Sequence, residues 1–454
     1  NVGGRLSEPG AGLHLSASQL GSAAACYVAG ACAGALFFGQ LTDRFGRKKL
    51  FMLTLLVYIA ATVATAFAMS PLYFFIARFV TGAGIGGEYA AINSAIDELI
   101  PARVRGRVDL IINGTYWAGA AAGSLAAVVL LKKTLFAADV GWRLAFGLGA
   151  VLGLGILIVR RHVPESPRWL FIHGRDEEAE AIVRDIERTV EEEAGEALPE
   201  PKESIRVRQR QAIPFREIAR VAITKYPRRT ILGLSLFVGQ AFLYNAVVFD
   251  LGTLLNKFYG VASGSVPYYF AVFAIGNLLG PLLLGRLFDT VGRKPMIAGT
   301  YLLSAVMVGI LAILVTNHSL GSGGFLALIC VTFFIASAGA SSAYLTVSEI
   351  FPMETRALAI AFFFAIGTGL GGIVGPLLFG HLIQTGDTGQ LAAGFWLGAA
   401  VMAIGGLMAL FFAVNAEGRS LEDIATPLTA EEADADEQAG PPRFAPDPVE
   451  VARI

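Results

Sequence analysis

Charge is what this sequence has least of. Asp, Glu, Lys and Arg make up 16% of its 454 residues, whereas a soluble domain carries roughly 25%. The formal net charge is −1, which by itself says nothing about partners; no nucleic-acid partner is expected. Cysteine is nearly absent. Cys26, Cys32 and Cys330 all fall inside apolar runs, which excludes a disulfide framework and a thiolate metal centre. The five histidines are scattered without ligand spacing. No phosphate loop, catalytic triad or metal cluster is present, so the chain reads as a non-enzyme with no cofactor, and its energy does not come from nucleotide hydrolysis. Gly82-Ala83-Gly84-Ile85-Gly86-Gly87 satisfies G-x-G-x-x-G, but it follows no strand and lies inside an apolar helical run. It reads as a helix-packing stripe, like Gly276/Gly280 and Gly367/Gly371/Gly375.

What the sequence has is hydrophobicity: 55% apolar residues and a mean hydropathy of +0.61. The apolar residues come in continuous runs of roughly 20, long enough to cross a hydrocarbon layer of roughly 30 Å as helix. Continuous rather than alternating runs select a helical bundle over a barrel. Eleven helices are expected. Five lie at about 19–41, 50–69, 72–98, 109–131 and 142–159, and six at about 229–258, 265–287, 296–316, 323–348, 357–382 and 388–413. Residues 1–159 thus form one transmembrane bundle and 229–424 a second. Between them, 160–228 is a polar linker with amphipathic helix at about 176–193, and the acidic, Pro-rich tail 425–454 reads as disordered. Asn317-His318-Ser319 is a glycosylation sequon, meaningful only in a eukaryotic secretory pathway.

A repeat organises the chain. Gly39-Gln40-Leu41-Thr42-Asp43-Arg44-Phe45-Gly46-Arg47-Lys48-Lys49 returns as Gly285-Arg286-Leu287-Phe288-Asp289-Thr290-Val291-Gly292-Arg293-Lys294-Pro295. A second pair, Glu98-Leu99-Ile100-Pro101 with Arg105 and Glu349-Ile350-Phe351-Pro352 with Arg356, ends the helix two after each turn. Such internal duplication is typical of secondary transporters, whose halves rock about a site near the midplane. The cations of both turns, the long linker, Arg103, Arg105, Arg107 and Arg356 share one side, which the positive-inside rule makes cytoplasmic. That count puts residue 1 outside. Five helices against six lead us to expect a first helix lost by truncation, the alternative being a true eleven-helix protein.

These residues resemble the major facilitator superfamily, and within it the sugar-porter-like, metabolite:proton symporter branch. The doubled turn is the superfamily mark. Gly141-Trp142-Arg143, Pro164-Glu165-Ser166-Pro167-Arg168-Trp169-Leu170, Glu349-Ile350-Phe351-Pro352 and Glu417-Gly418-Arg419-Ser420-Leu421-Glu422-Asp423-Ile424 are narrower ones. The resemblance implies two pseudo-symmetric bundles, a monomer, and multi-pass residence in the plasma membrane. It implies alternating access to a small polar organic solute, with proton coupling. It also implies an inner gate built from Asp43, Arg47, Glu98 and Arg105 in one half and Asp289, Arg293, Glu349 and Arg356 in the other. Asp43 is placed to cap a neighbouring helix. The positive-inside rule alone accounts for Lys48 and Lys49, but not for an acid at fixed spacing from the cations in both halves.

For the substrate, the resemblance points to Gln240 and Asn245, which keep part of a Gln-Gln-x-x-Gly-x-Asn pattern. It points also to Asn277, twelve residues before Asp289, to Asn113, and to Tyr344, where related proteins stack a Trp on sugar. Amides suit hydroxyls, since each offers donors and an acceptor; for any one of them the plain alternative is an interhelical hydrogen bond. A sugar or polyol is expected, with organic acids or aromatic metabolites as the alternative, and a non-transporting membrane sensor as the reading from another class. Arg78 matches an arginine that partners an acid in proton-coupled members. Glu88, expected near mid-membrane, is the candidate proton carrier or else the ion-pair partner of Arg78 or another cation. Asp250 is expected to face water, or to meet a cationic substrate.

Overall fold

A backbone with no water to bond must bond to itself, and the apolar runs do so as helices. The structure, a computed structural model, describes residues 6, 13–100, 103–132, 134–160, 164–195, 204–207, 219–262, 264–352, 356–419, 421–425 and 449–452. The first set of long helices is α1 (Ala17–Phe45), α2 (Arg47–Ala66), α3 (Pro71–Leu99), α4 (Arg105–Leu130) and α5 (Ala138–Arg160). Short α6 (Pro167–Ile172) and α7 (Asp176–Ala194) follow. The second set is α8 (Pro227–Tyr259), α9 (Val266–Thr290), α10 (Arg293–Thr316) and α11 (Ser322–Ile350). It continues with α12 (Arg356–Gly367), a π turn (Thr368–Gly372), α13 (Ile373–Thr385) and α14 (Thr388–Phe412). Counting α12 through α13 as one rod, the five and six expected helices are all there. Nine helices among the described residues are long and apolar enough to cross a membrane.

Local chemistry sets the ends. Ser16 opens α1 with a reciprocal capping box to Gln19. Asp387 opens α14 by accepting from the Gly389 N–H at 2.7 Å. The rod α12–α13 widens to a π turn four residues before Pro376, whose ring removes a donor and displaces the carbonyl one turn back.

Close packing uses the glycine stripes. A Cβ at Gly82 would sit 2.0 Å from the Tyr27 carbonyl oxygen, and one at Gly86 1.9 Å from that of Ala31, so α1 and α3 touch backbone to backbone. On the other side, Gly371 and Gly375 let the α12–α13 rod lie against Val238 and Phe242 of α8. The two sets meet where α4 packs on α9 and where α1 packs on the α12–α13 rod. Gly114 faces Pro281 across the first of these seams.

The acidic linker helix is α7, one residue longer than expected. Its pairs, such as Arg184–Glu180 at 3.4 Å, are exposed and contribute only a few tenths of a kcal/mol each. One expectation needs correcting. Within the tail read as disordered, β2 (Val449–Ala452) pairs antiparallel with β1 (Ser204–Val207) of the linker. Both are short alternating β-branched stretches, Ser-Ile-Arg-Val and Val-Glu-Val-Ala, which a composition average over the whole tail hides. The rest of the tail lies outside the described residues.

Candidate functional site

A cavity of about 180 Å³ lies between the two sets of helices, against the roughly 10–15 Å³ that one water needs. α8 supplies its largest wall. Gln240, Tyr244 and Val248, each four apart, share one stripe, and Asn245 and Phe249 share the next. α1 contributes Tyr27, and α4 contributes Asn113, Tyr116 and Trp117. α11 contributes Ser337, Ser341 and Tyr344; Phe364 and Thr368 come from α12 and the π turn. Both sets of helices therefore wall the same space.

Four of the five expected substrate residues line it: Asn113, Gln240, Asn245 and Tyr344. The Tyr344 hydroxyl hydrogen-bonds Gln240, and its ring meets Phe237 edge-on at 4.8 Å and Phe364 at 6.3 Å. Asn245 Nδ2 donates back to the Ala241 carbonyl at 2.8 Å, and Asn113 Nδ2 donates to the Asp109 carbonyl at 3.0 Å. The fifth, Asn277, is not on the wall. It is fully buried; its Oδ1 accepts from the Tyr244 hydroxyl at 3.0 Å and its Nδ2 donates to the Phe273 carbonyl at 2.9 Å. Asn277 thus positions Tyr244, and Tyr244 faces the cavity tilted against Trp117 at 5.7 Å. Sequence reasoning missed Tyr244, Trp117 and Tyr27. An aromatic in an apolar run looks like core, and only the cavity separates the two.

The charged turns lie at one end of the helices. In the second copy Arg293 is 1% exposed. Its Nε and Nη2 each donate to Glu349 at 3.0 Å, a bidentate pair, and Nη1 donates to the Phe288 carbonyl and to Asp289 Oδ1, both at 2.7 Å. Asp289 also accepts from the backbone N–H groups of Gly106 at 3.1 Å and Arg107 at 2.7 Å. It caps α4, a helix of the other set, where the dipole favours an anion. Gly106 is required there, because a Cβ would fall 2.3 Å from Arg293 Nη1. Arg105 was expected to pair within its own half. Its Nη1 instead lies 3.8 Å from Glu349 Oε1 of the second half, since Asp289 pulls the start of α4 under that cluster.

In the first copy, Arg47 is buried and its N–H donates to Glu165 Oε1 at 2.9 Å, while the Lys48 N–H donates to Oε2 at 3.2 Å. The second half repeats this with Glu417, which accepts from the Arg293 N–H at 3.3 Å. Gly46 and Gly292, with φ of +92° and +115°, make both turns. The side chains of Asp43, Glu98 and Arg356 lie outside the described residues.

The remaining ionisable candidates do not meet. Arg78 stacks over the Tyr27 ring at 4.4 Å and lies 5.8 Å from Phe146; among the described residues it joins no ion pair. Glu88 pairs with Arg160, the last residue of α5. That corrects its depth: it sits toward the charged end rather than near the middle, because α5 stops there. Asp250, expected beside water, is 9% exposed. α13 covers it: a Cβ added at Gly380 would lie 3.9 Å from its Oδ1.

Comparison with known proteins gives a consistent frame. The model of the sugar (and other) transporter family matches residues 5–428. A niacin transporter of Acinetobacter baylyi is 28% identical over 79% of this chain and 77% of its own length. A glucose transporter of Staphylococcus epidermidis is 26% identical over 90% and 89%. A 4-hydroxybenzoate transporter of A. baylyi is 28% identical over 80% and 77%. Among solved structures, a major facilitator superfamily proton:xylose symporter from E. coli, bound to 6-bromo-6-deoxy-D-glucose, superposes with a TM-score of 0.73 at 21% identity, over 90% of this chain and 88% of that one.

Proposed function

The chain belongs to the sugar (and other) transporter family, a multi-pass membrane transporter and not an enzyme, and on that premise we propose that it moves a small, flat-ringed, hydrogen-bonding solute across the plasma membrane by alternating access, coupled to protons. The charged face is the cytoplasmic one, as the cation bias requires. The bonds from Asp289 to α4 and the ion pair of Arg105 with Glu349 hold that face closed. A single chain supplies both walls, so a monomer suffices.

One observation carries the substrate reading. Seven of the eighteen lining residues are aromatic and only three are amides; of those three, Asn113 and Asn245 spend a donor on their own helix carbonyls. Ring faces then supply most of the contact, and hydroxyls with the remaining amide groups orient polar substituents. Relatives named for niacin and 4-hydroxybenzoate carry solutes of this shape. A hexose is the second reading, favoured by Gln240 and Asn245 on one wall and by the relative named for glucose.

Thermal unfolding of the purified protein against a ligand panel tests this, because a ligand raises the midpoint by preferring the folded state. Niacin or 4-hydroxybenzoate should raise it, and Tyr344→Ala should abolish the rise. A rise with D-glucose alone, lost in Gln240→Ala, would replace the ring reading by the hexose one.

A further inference from the structure

A carboxylate in a membrane helix usually has a reason to be there. Glu88 has Arg160. Asp250 has nothing of the kind. It is nine-tenths buried, its Oδ2 is sealed, and it has no hydrogen-bond partner among the described residues.

Its surroundings can be followed element by element. The face of α8 that carries Phe242, Ala246, Asp250 and Lys257 packs on α13: Gly375 faces Phe242 and Ala246, Gly380 faces Asp250, and Gly386 faces Lys257. The one ionisable residue of α13 is His381, which is exposed, and α14 has none. Lys257 sits two turns further out, its Nζ donating to the Gln384 carbonyl at 3.0 Å. α9 meets the opposite side of α8, at Gly252. On α11, Tyr344 and Glu349 lie toward the charged face and are bonded to Gln240 and Arg293. α1 brings Tyr27, Cys26 and Cys32, and Arg356 stands at the far end of α12. No cation faces Asp250 among the described residues. An isolated ionised carboxylate buried this way is far costlier than the neutral acid.

Asp250 is also well placed to matter. The preceding residue, Phe249, is the outermost cavity-lining residue of α8, and Tyr27 is the outermost of α1. Their rings meet edge-on at 6.5 Å and join the two halves above the cavity. Phe249 and Asp250 share one turn of α8, and on that turn Asp250 is buried against α13.

We propose that Asp250 is a proton-binding site in the outer half of α8. It takes a proton from the outer water when it packs on α13, and ionisation, which returns that proton, frees the turn and parts Phe249 from Tyr27. Solute access from outside then depends on external pH: the ionised carboxylate leaves the contact open to the solute, and acid favours its closure behind the solute, the order that proton-driven uptake needs. The inference rests on the transporter reading only for its consequence; the protonation itself needs no substrate.

The test follows from that separation. Infrared spectra of the full-length protein at neutral pH should show a protonated-carboxyl band that is lost in Asp250→Asn and kept in Glu88→Gln. Hydrogen–deuterium exchange over residues 246–259, corrected for intrinsic rates, should show wild-type protection falling from acid to alkaline pH. Asp250→Asn, uncharged at every pH, should lose that dependence. A wild type without the band overturns the proposal even if the variant fails to fold, and so does an unchanged band or an unchanged pH response in Asp250→Asn. Failure of uptake or of ligand stabilisation alone would instead strike the function proposed above.

Discussion

The two copies of the charged turn begin alike and end differently. In each, a glycine at positive φ lets one helix follow another, and a glutamate from beyond the last helix of that half, Glu165 or Glu417, caps the new helix. These caps stay within their own half. The second copy adds a reach across the molecule, where Asp289 caps α4 and Arg105 approaches Glu349. The repeated part holds each half together, and in the alternating access proposed above the crossing part is what would break as the halves rock. Damage to the first should lower stability, and damage to the second should shift which face is open.

The largest effect is expected where both roles meet. Arg293→Ala leaves Glu349 and Asp289 buried without their cation and should cost about 3–5 kcal/mol, read as a large drop in the thermal midpoint. Asp289→Asn keeps the volume but weakens charge-assisted bonds worth about 1.5–3 kcal/mol each. It should separate spin labels placed at the charged ends of α4 and α9; unchanged distances would put the latch elsewhere. Glu165→Ala should cost about 1–2 kcal/mol as a lost cap, and Glu417→Ala about half of that from its longer single contact, without moving those labels. Gly46→Ala and Gly292→Ala should each cost about 1–3 kcal/mol, since positive φ with ψ of 157° is a backbone region open essentially to glycine alone. Gly46 should be the worse, since its Cβ would meet Glu165 Oε2 at 2.4 Å while that of Gly292 meets Glu417 Oε1 at 3.1 Å. Equal losses would mean that the carboxylates give way freely.

The helices were legible because length and apolarity decide them and nothing competes in a bilayer. The repeat was legible because the Gly, Asp, Gly and Arg keep one spacing. Facing was not. Twelve residues from Asn277 to Asp289 fix a depth along α9, but a helix turns about 100° per residue, and Asn277 points to Tyr244 rather than into the cavity. Partners distant in sequence were not legible either: nothing in the run around Glu88 announces Arg160, the last residue of a helix that starts fifty positions later. The caps left a weaker trace. Glu165 and Glu417 each follow the last helix of a half, and comparing those two tails as a third repeat would have found them.

Uptake into proteoliposomes is the most direct test of transport. Purified protein would be given radiolabelled niacin, 4-hydroxybenzoate and D-glucose in turn, with the outside made acidic. A ring-bearing solute should accumulate above equilibrium, and a protonophore or Tyr344→Ala should abolish the accumulation. Equal label inside and in protein-free vesicles for every solute, with no counterflow, would contradict it and favour a sensor that keeps the fold without moving a solute.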